Sequence, residues 1–150
     1  MRNLKTMLSS EDMTWETPQD FFNELNKEFD FTLDPCATKQ TAKCANYFTP
    51  EIDGLKQSWD NERVFMNPPY GTEISKWIKK ASEQKNGIVV CLIPARTDTR
   101  YFHEYLYQKA NVELRFIKGR LKFGGKQKGS GSAPFPSLVA IITNNESPSH

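Results

Sequence analysis

The chain has 150 residues, of which 37% are hydrophobic and 25% are charged, a composition typical of one globular domain with a single core. No apolar run is long enough to span a bilayer and the first residues lack a signal-peptide pattern, so the sequence predicts a soluble intracellular protein rather than a membrane-spanning or secreted one. The cysteines are odd in number and lack zinc-type spacing, which predicts reduced core or pocket residues rather than disulfides or metal ligands; they are Cys36, Cys44 and Cys91.

The net charge of +2 hides a division between the two halves of the chain. Residues 1–75 carry 7 basic and 13 acidic side chains, whereas residues 76–150 carry 13 basic and 5 acidic ones. An excess of positive charge in one half is typical of proteins that hold a polyanion. Charge alone leaves the alternative open that the solvated faces simply differ in composition.

The amino-terminal part of the chain predicts a tail followed by a helix. Residues 1–13 have no periodicity and are predicted to be mobile, and order is expected to begin near Trp15. Thr17 is predicted to cap a helix whose first position is Pro18. Apolar residues then recur at helical spacing through residue 29, which predicts a helix packed on a sheet by its aromatic face. Trp15 suits a hydrophobic staple at the start of this helix.

Two short strands are predicted next, at residues 31–33 and 45–49. The first ends at Asp34, Pro35 and Cys36, which places Asp34 at a strand tip, where open α/β sheets hold their ligands. An acidic turn residue before proline is the alternative.

The most informative stretch is the apolar run 64–66 followed by Asn67, Pro68, Pro69 and Tyr70. It predicts a buried strand that ends in a rigid loop, because proline fixes φ and lacks a backbone N–H. Such a corner presents backbone carbonyls, Asn67 adds a side-chain acceptor, and Tyr70 adds a flat ring with a polar tip. These groups suit a planar ligand that carries an exocyclic amine. A proline-rich loop that merely closes a strand is the alternative.

A second strand is predicted to run beside the first. Residues 72–85 have an apolar face opposite a row of lysines, which predicts a helix capped by Thr72. The apolar run 88–93 predicts a strand buried on both faces. Strand, helix and strand in this order form a βαβ unit with parallel pairing, so the loop after residue 93 is expected at the same edge as Asn67.

That loop carries two arginines. Arg96 and Arg100 are predicted to bind phosphates. Thr97 or Asp98 is predicted to cap a helix over residues 99–109.

The last part of the chain predicts a hairpin and a final strand. Residues 114–117 and 120–123 are predicted to pair across a tight turn. The apolar run 138–143 predicts the last buried strand, and residues 144–150 a polar tail.

Residues 119–131, which begin within this hairpin, are rich in glycine and basic residues and contain no acidic one. This composition predicts a flexible cationic loop that orders on a phosphate backbone, with three candidate contacts: Lys122, Lys126 and Lys128. A plain solvated linker is the alternative.

The motif 67–70 resembles the catalytic motif of amino-methyltransferases that depend on S-adenosylmethionine. Together with the segments around Asp34 and Asp53, the stretch 15–143 resembles the compact, phage-type DNA N6-adenine methyltransferases. The resemblance implies an α/β, compact Rossmann-like methyltransferase fold with a mostly parallel central sheet, flanking helices and an antiparallel last strand. It implies one methyltransferase domain over residues 14–143, in the cytoplasm of a bacterial or phage-infected host cell.

The resemblance also implies S-adenosylmethionine as the cofactor. Asp34, Pro35 and Cys36 match the family's first cofactor motif, in which the carboxylate accepts from the ammonium group and offsets the sulfonium charge. Many methyltransferases continue into a glycine-rich turn, whereas residues 38–42 contain no glycine, an omission that the phage-type enzymes share.

Two further segments match cofactor motifs. Asp53 matches the acidic residue that accepts from the cofactor's adenine amine, although Asp-Gly is also a common turn signal. Trp15, Thr17 and Pro18 match a segment that touches the methionine end of the cofactor. Asn67 is expected to lie beside the cofactor as well.

The implied reaction is site-specific methyl transfer to N6 of an adenine flipped out of DNA. Asn67 Oδ1 and the Pro68 carbonyl accept the two N6 hydrogens, Pro69 stiffens the loop and Tyr70 sandwiches the base. No metal is required.

The implied partner is DNA, bound by a monomer or homodimer. Phe135, or Phe123 in second place, is expected to stack on the base, with burial in the core as the alternative for both. Specificity is expected in residues 95–100 and 118–135, or in a second subunit. Methylation of RNA adenine, methylation of a protein glutamine amide, and a catalytically idle DNA-binding module with the same fold stay open as alternatives.

Overall fold

The computed structural model describes residues 15–124 and 132–145. In this part the helices are α1 (Gln19–Phe29) and α2 (Ile74–Glu83), and the strands are β1 (Arg63–Met66), β2 (Gly87–Pro94), β3 (Val112–Phe116) and β4 (Ser137–Asn144). Two short turns are helical: a 3-10 turn, Gly54–Lys56, and a π-helical turn, Phe102–Leu106. The predicted tail at 1–13 lies outside the described residues, as does 146–150.

The four strands form one sheet in the order β1, β2, β4, β3. β1 and β2 are parallel, with Met66 opposite Cys91, whereas β4 is antiparallel to both β2 and β3. β1, β2 and β3 therefore point one way and β4 the other. The α/β class and the antiparallel last strand are confirmed. The sheet is mixed rather than mostly parallel, because β4 lies between two strands of the opposite direction.

The edge of the sheet beside β1 carries two isolated parallel bridges. Leu33 bridges to Val64 of β1, and Asp34 bridges to Tyr47. The predicted strands 31–33 and 45–49 are reduced to these positions, since Pro35 has no N–H with which to continue a ladder. The bridges nevertheless place Asp34 beside the carboxyl end of β1.

The predicted hairpin of residues 114–117 and 120–123 is wrong. The first segment lies in β3, but β3 pairs with β4, and residues 120–123 form no strand. The apolar strand β4 is buried over most of its length, so its backbone groups need ladder partners on both sides. β2 supplies one side and β3 the other.

The first helix ends at Phe29 as predicted, but it begins at Gln19, one residue after the predicted first position Pro18. Pro18 occupies the cap position, and no side chain caps the helix. The prediction that Thr17 is the N-cap is therefore wrong. Its hydroxyl has another partner, described below.

The other two helix starts also differ from the prediction. Glu73 occupies the cap position of α2 and no side chain caps this helix, so the prediction that Thr72 is the cap is wrong. The N–H of Ile74 donates to the Gly71 carbonyl at 3.3 Å in the turn that leads into the helix. The predicted helix 99–109 is reduced to a short segment that contains the π-helical turn Phe102–Leu106.

A hydrophobic cluster covers each face of the sheet. α1 packs Phe22 and Leu25 on one face, and α2 packs Trp77 and Ile78 on the other. Trp59 is fully buried in the second cluster. This two-sided packing holds β1 and β2 firmly, and with them the loops at their carboxyl ends.

The cysteines are free thiols, as predicted: Cys91 is buried, and Cys36 and Cys44 are half-buried. Across residues 15–124 and 132–145, no helix combines the length and apolar character needed to cross a bilayer.

Candidate functional site

The predicted site residues of the first half of the chain meet at one edge of the sheet. Asn67 follows β1 directly, and Asp34 follows the position that bridges to β1 in parallel. Parallel neighbours end at the same edge, so the two motifs lie side by side. The loop after Pro94, which carries Arg96 and Arg100, leaves β2 at this edge too.

The side-chain amide of Asn67 is held in one orientation. Its Nδ2 donates to the Trp15 carbonyl at 2.5 Å and to Thr17 Oγ1 at 2.8 Å. A carbonyl oxygen can only accept, so Nδ2 rather than Oδ1 must face Trp15. Both hydrogens of the amide are thereby engaged.

The other atom of that amide has no partner. Asn67 Oδ1 is buried and accepts no hydrogen bond from any described residue. A buried acceptor without a donor costs about 1–3 kcal/mol, and native proteins contain few of them. The arrangement therefore leaves one oriented acceptor ready for an N–H donor that the described residues do not supply.

The rest of the motif is packed against the core. Pro68 is buried, and Tyr70 is only 5% exposed. The Tyr70 hydroxyl donates to the Leu92 carbonyl of β2 at 3.2 Å, and burial raises the pKa of this phenol well above its usual value. The phenol is thus a fixed, neutral group whose ring position is set by β2.

Four aromatic rings surround the Asn67 side of the site. Trp15 meets Phe135 and Phe123 edge to face, with ring centroids 5.0 and 5.5 Å apart. Phe135 also meets Tyr70 edge to face at 5.6 Å. Phe123 is buried and Phe135 half-buried. The rings predicted to enclose a base are therefore in contact with each other.

Asp34 closes the loop that follows it. Asp34 is 4% exposed, and its carboxyl group accepts from the backbone N–H of Cys36 at 3.3 Å and of Lys43 at 3.0 Å. Burial raises its pKa to about 6, and these two hydrogen bonds oppose that rise. The carboxylate organises a loop that contains no glycine.

The two predicted cofactor segments touch each other at Gly54. A Cβ atom on Gly54 would lie 2.2 Å from the Pro35 carbonyl oxygen, so only glycine allows this approach. Asp53, at φ 65°, accepts from the Leu55 N–H at 3.1 Å and so also plays the turn role that was its alternative. The structure thus brings Asp34 and Asp53 to one side of the site.

The predicted phosphate contacts are exposed and unpaired with other described residues. Arg96, Arg100 and Lys122 are exposed, and none forms an ion pair within residues 15–124 or 132–145. Lys126 and Lys128 lie outside the described residues.

The residue that caps the helical segment after this loop differs from the two that were predicted. The hydroxyl of Thr99, rather than Thr97 or Asp98, accepts from the Phe102 N–H at 3.4 Å. The same hydroxyl donates to the Arg96 carbonyl at 2.8 Å, which folds the loop back on itself.

Two features of the site were missed by the sequence interpretation. Thr17 bonds to Asn67 across 50 positions, and no local pattern signals that contact. Ser137, at the start of β4, has a buried hydroxyl without a described partner. Within the described ranges, no three His, Cys, Asp or Glu side chains are grouped as metal ligands would be.

Comparison with known proteins identifies the family. The family profile described as DNA N-6-adenine-methyltransferase (Dam) matches residues 4–150. A DNA N-6-adenine-methyltransferase of Haemophilus phage HP1 is 31% identical over 133 residues, which cover 86% of this chain and 76% of the phage protein. A protein of the same name from Escherichia phage T1 is 30% identical over 102 residues, which cover 65% of this chain and only 42% of the T1 protein.

A third relative, the putative methyltransferase YfdM of Escherichia coli K12, is 39% identical over 64 residues, which cover 37% of this chain and 69% of that protein. The profile match extends over nearly the whole chain, including all of the described site. The family predicted from the Asn-Pro-Pro-Tyr motif is therefore confirmed, and the chain belongs to the DNA N-6-adenine-methyltransferase (Dam) family.

Proposed function

We propose that the chain transfers a methyl group from S-adenosylmethionine to N6 of an adenine flipped out of DNA. The observation that carries this proposal is the buried, unpartnered Oδ1 of Asn67 at the carboxyl end of β1. An exocyclic amino group supplies the N–H donor that this oxygen lacks. Family membership supports adenine in DNA as the substrate.

The chemistry assigned to the chain is activation of a weak nucleophile. The lone pair of adenine N6 is delocalised into the ring, so the amino nitrogen reacts poorly unless its hydrogens are held by acceptors. Asn67 Oδ1 and the Pro68 carbonyl are proposed to accept one hydrogen each, which raises the electron density on N6. The same oxygens stabilise the positive charge that develops on N6 in the transition state, before its proton leaves to solvent.

The residues near Asp34 suit a cationic cofactor. S-adenosylmethionine supplies an electrophilic methyl group on a sulfonium centre. Asp34 and Asp53 are proposed to hold its polar ends, because both carboxyl groups lie on the side of the site next to Asn67. Pro35 and Cys36 line the loop between them, and Trp15 and Pro18 are proposed to complete the methionine end, whereas the Thr17 hydroxyl accepts from Asn67 instead.

The base is proposed to lie against Tyr70 and Phe135. These rings touch edge to face at 5.6 Å, so a base enters between them only when they separate. The Tyr70 hydroxyl bond to Leu92 anchors one ring to the sheet. Phe135 lies on the segment before β4 and is only half-buried, so it is the ring expected to move.

The remaining assignments concern the DNA and the fold. Arg96, Arg100 and Lys122 are proposed to bind phosphates that offset the few kcal/mol cost of base flipping, together with Lys126 and Lys128. A compact Rossmann-like methyltransferase fold, as one domain over residues 14–143, is supported by the common direction of β1, β2 and β3 and by the parallel bridges beside β1. A monomer or homodimer in the cytoplasm stays a prediction.

The test is a methyl-transfer assay with labelled S-adenosylmethionine on unmethylated DNA, followed by digestion to nucleosides. We expect label in N6-methyl-2′-deoxyadenosine, and a loss of kcat of about 10²- to 10³-fold in Asn67→Ala. Asn111→Ala, which removes an amide bonded to Thr143 at the far edge of the sheet, is the matched control. Label in RNA or in protein glutamine, offered in competition, would replace the proposal by one of its alternatives.

A further inference from the structure

The amide of Asn67 has two orientations of nearly equal shape that present opposite chemistry. With Oδ1 towards the substrate it accepts a hydrogen bond, and with Nδ2 there it donates one. An adenine amino group needs the acceptor. Packing cannot distinguish two isosteric ends, so the hydrogen-bond partners of the amide decide which end faces the substrate.

Both partners come from the segment just before α1. The Trp15 carbonyl takes one hydrogen of Nδ2 and the hydroxyl of Thr17 takes the other. Thr17 is 5% exposed, so solvent does not compete for that hydrogen. In the flipped amide, Oδ1 would face the Trp15 carbonyl with no proton between two acceptors, while Nδ2 would face the substrate.

We infer that Thr17 is a positioning residue: its hydroxyl holds the Asn67 amide in place, while the Trp15 carbonyl, which can only accept, selects the orientation in which Oδ1 points to the substrate amino group. This rests on the proposed function. The role differs from a cap on α1 and from contact with the cofactor. Thr17 acts on the reaction through Asn67 and needs to touch neither methyl donor nor base.

The segment is firmly attached to the fold. The Glu16 carbonyl accepts from the Gly124 N–H at 2.9 Å in an antiparallel bridge, and the Trp15 ring packs on Phe123 and Phe135. The acceptors offered to Asn67 therefore hold a defined position relative to β1. Acceptors can select one of two amide orientations only if their own positions are fixed in this way.

The first test compares Thr17→Val and Thr17→Ala, which lack the hydroxyl, with Thr17→Ser, which keeps it. We expect kcat to fall about tenfold in Val and Ala, with KM for DNA and for methyl donor within about threefold of wild type, and Ser to restore most of the kcat. Thr17→Ala removes the same hydrogen-bond acceptor and provides the measurement if Thr17→Val is too unstable to assay. Thr32→Val is the control, since it removes a hydroxyl bonded to Glu62 and Arg63 at the opposite end of β1.

The second test does not depend on activity. The two side-chain amide protons of Asn67 are assigned by ¹⁵N NMR from their loss in Asn67→Ala. In Thr17→Val one of them should shift upfield and exchange faster, while Thr17→Ser should keep both as in wild type.

Each outcome bears on one hypothesis. Unchanged amide signals, a kcat within twofold of wild type in Val and Ala, or an equal loss in Ser would overturn the positioning role. If the wild-type protein modifies no DNA while Thr17→Val still shows the amide shift, the proposed function is overturned and the hydrogen-bond assignment stays intact.

Discussion

The two sides of the site are held in place by different means. The acceptor side, Asn67 to Tyr70, continues from β1, whose residues Val64, Phe65 and Met66 are at most 1% exposed and which pairs with β2 along its length. The side proposed to hold the cofactor joins the sheet through a single bridge, Leu33 to Val64, and a second bridge links Asp34 to Tyr47. There the segment is held by the hydrogen bonds of the Asp34 carboxyl group and by the close contact of Gly54 with Pro35, rather than by a series of strand hydrogen bonds.

Substitutions on the two sides are therefore expected to affect different properties of the protein. On the acceptor side the backbone is fixed by many strand contacts, so a side chain such as Asn67 can change without loss of the fold. On the other side Asp34 and Gly54 are both framework and candidate binding residues. We expect their substitutions to alter stability and donor binding together, whereas Asn67→Ala alters kcat alone.

The largest expected effect on stability comes from Asp34. Burial raises its pKa to about 6, against roughly 3.9 in an unfolded chain. Between these values the folded protein binds more protons, so its stability falls as the pH rises from about 4 to 6, by about 3 kcal/mol in total. Asp34→Asn should flatten that part of the curve in urea unfolding at pH 4 to 7.

Asp20→Asn, which removes an exposed carboxylate on α1, is the control for this prediction. A pH slope that is the same in Asp34→Asn as in wild type would mean that burial does not raise the pKa of this carboxyl group in the folded protein. The contrast between the two sides would then fail.

A somewhat smaller loss is expected from Gly54→Ala. The new Cβ would meet the Pro35 carbonyl oxygen at 2.2 Å, and relief of such overpacking typically costs about 1–3 kcal/mol. Because the contact joins the Asp34 and Asp53 segments, calorimetry should also show weaker binding of S-adenosylmethionine. Gly124→Ala is the control for sterics, since its Cβ would lie 3.5 Å from Glu16, an ordinary contact. Equal stability of the two variants would contradict the prediction.

The smallest effects should come from the exposed arginines, which belong to neither framework. Arg96→Ala and Arg100→Ala should each weaken DNA binding and lower the slope of log affinity against log salt by about 1, with little change in stability. Fluorescence anisotropy at several salt concentrations measures this. Lys109→Ala, another exposed basic residue in the same half, is the control. A slope reduced equally by Lys109→Ala would show general charge rather than a defined contact.

The parts of the fold that the sequence predicted well are those whose signal is local. The apolar runs 88–93 and 138–143 became β2 and β4, each extended by one residue at both ends. The two amphipathic helices were also found. The motif 67–70 was placed correctly at a strand end, because an apolar run that meets two prolines has few other conformations.

The parts that failed depend on distant partners. Residues 120–123 were predicted to pair with residues 114–117, but β3, which contains most of that segment, pairs with β4 instead. Residues 31–33 and 45–49 kept one bridge each, which no propensity reveals. The hydrogen bonds that orient Asn67 join positions about 50 residues apart, so the acceptor was predictable from the motif but its orientation was not.

The bridge between Glu16 and Gly124 has a practical consequence for protein engineering. A deletion that reaches Trp15 would release the amide of Asn67 while the sheet stayed folded. A fusion partner attached so close that it separates Glu16 from Gly124 would have the same effect. Such a product would be soluble, would give a normal circular dichroism spectrum and would nevertheless turn over slowly. Expression designs should therefore leave residues 15–17 and their neighbours untouched and carry any tag on a spacer.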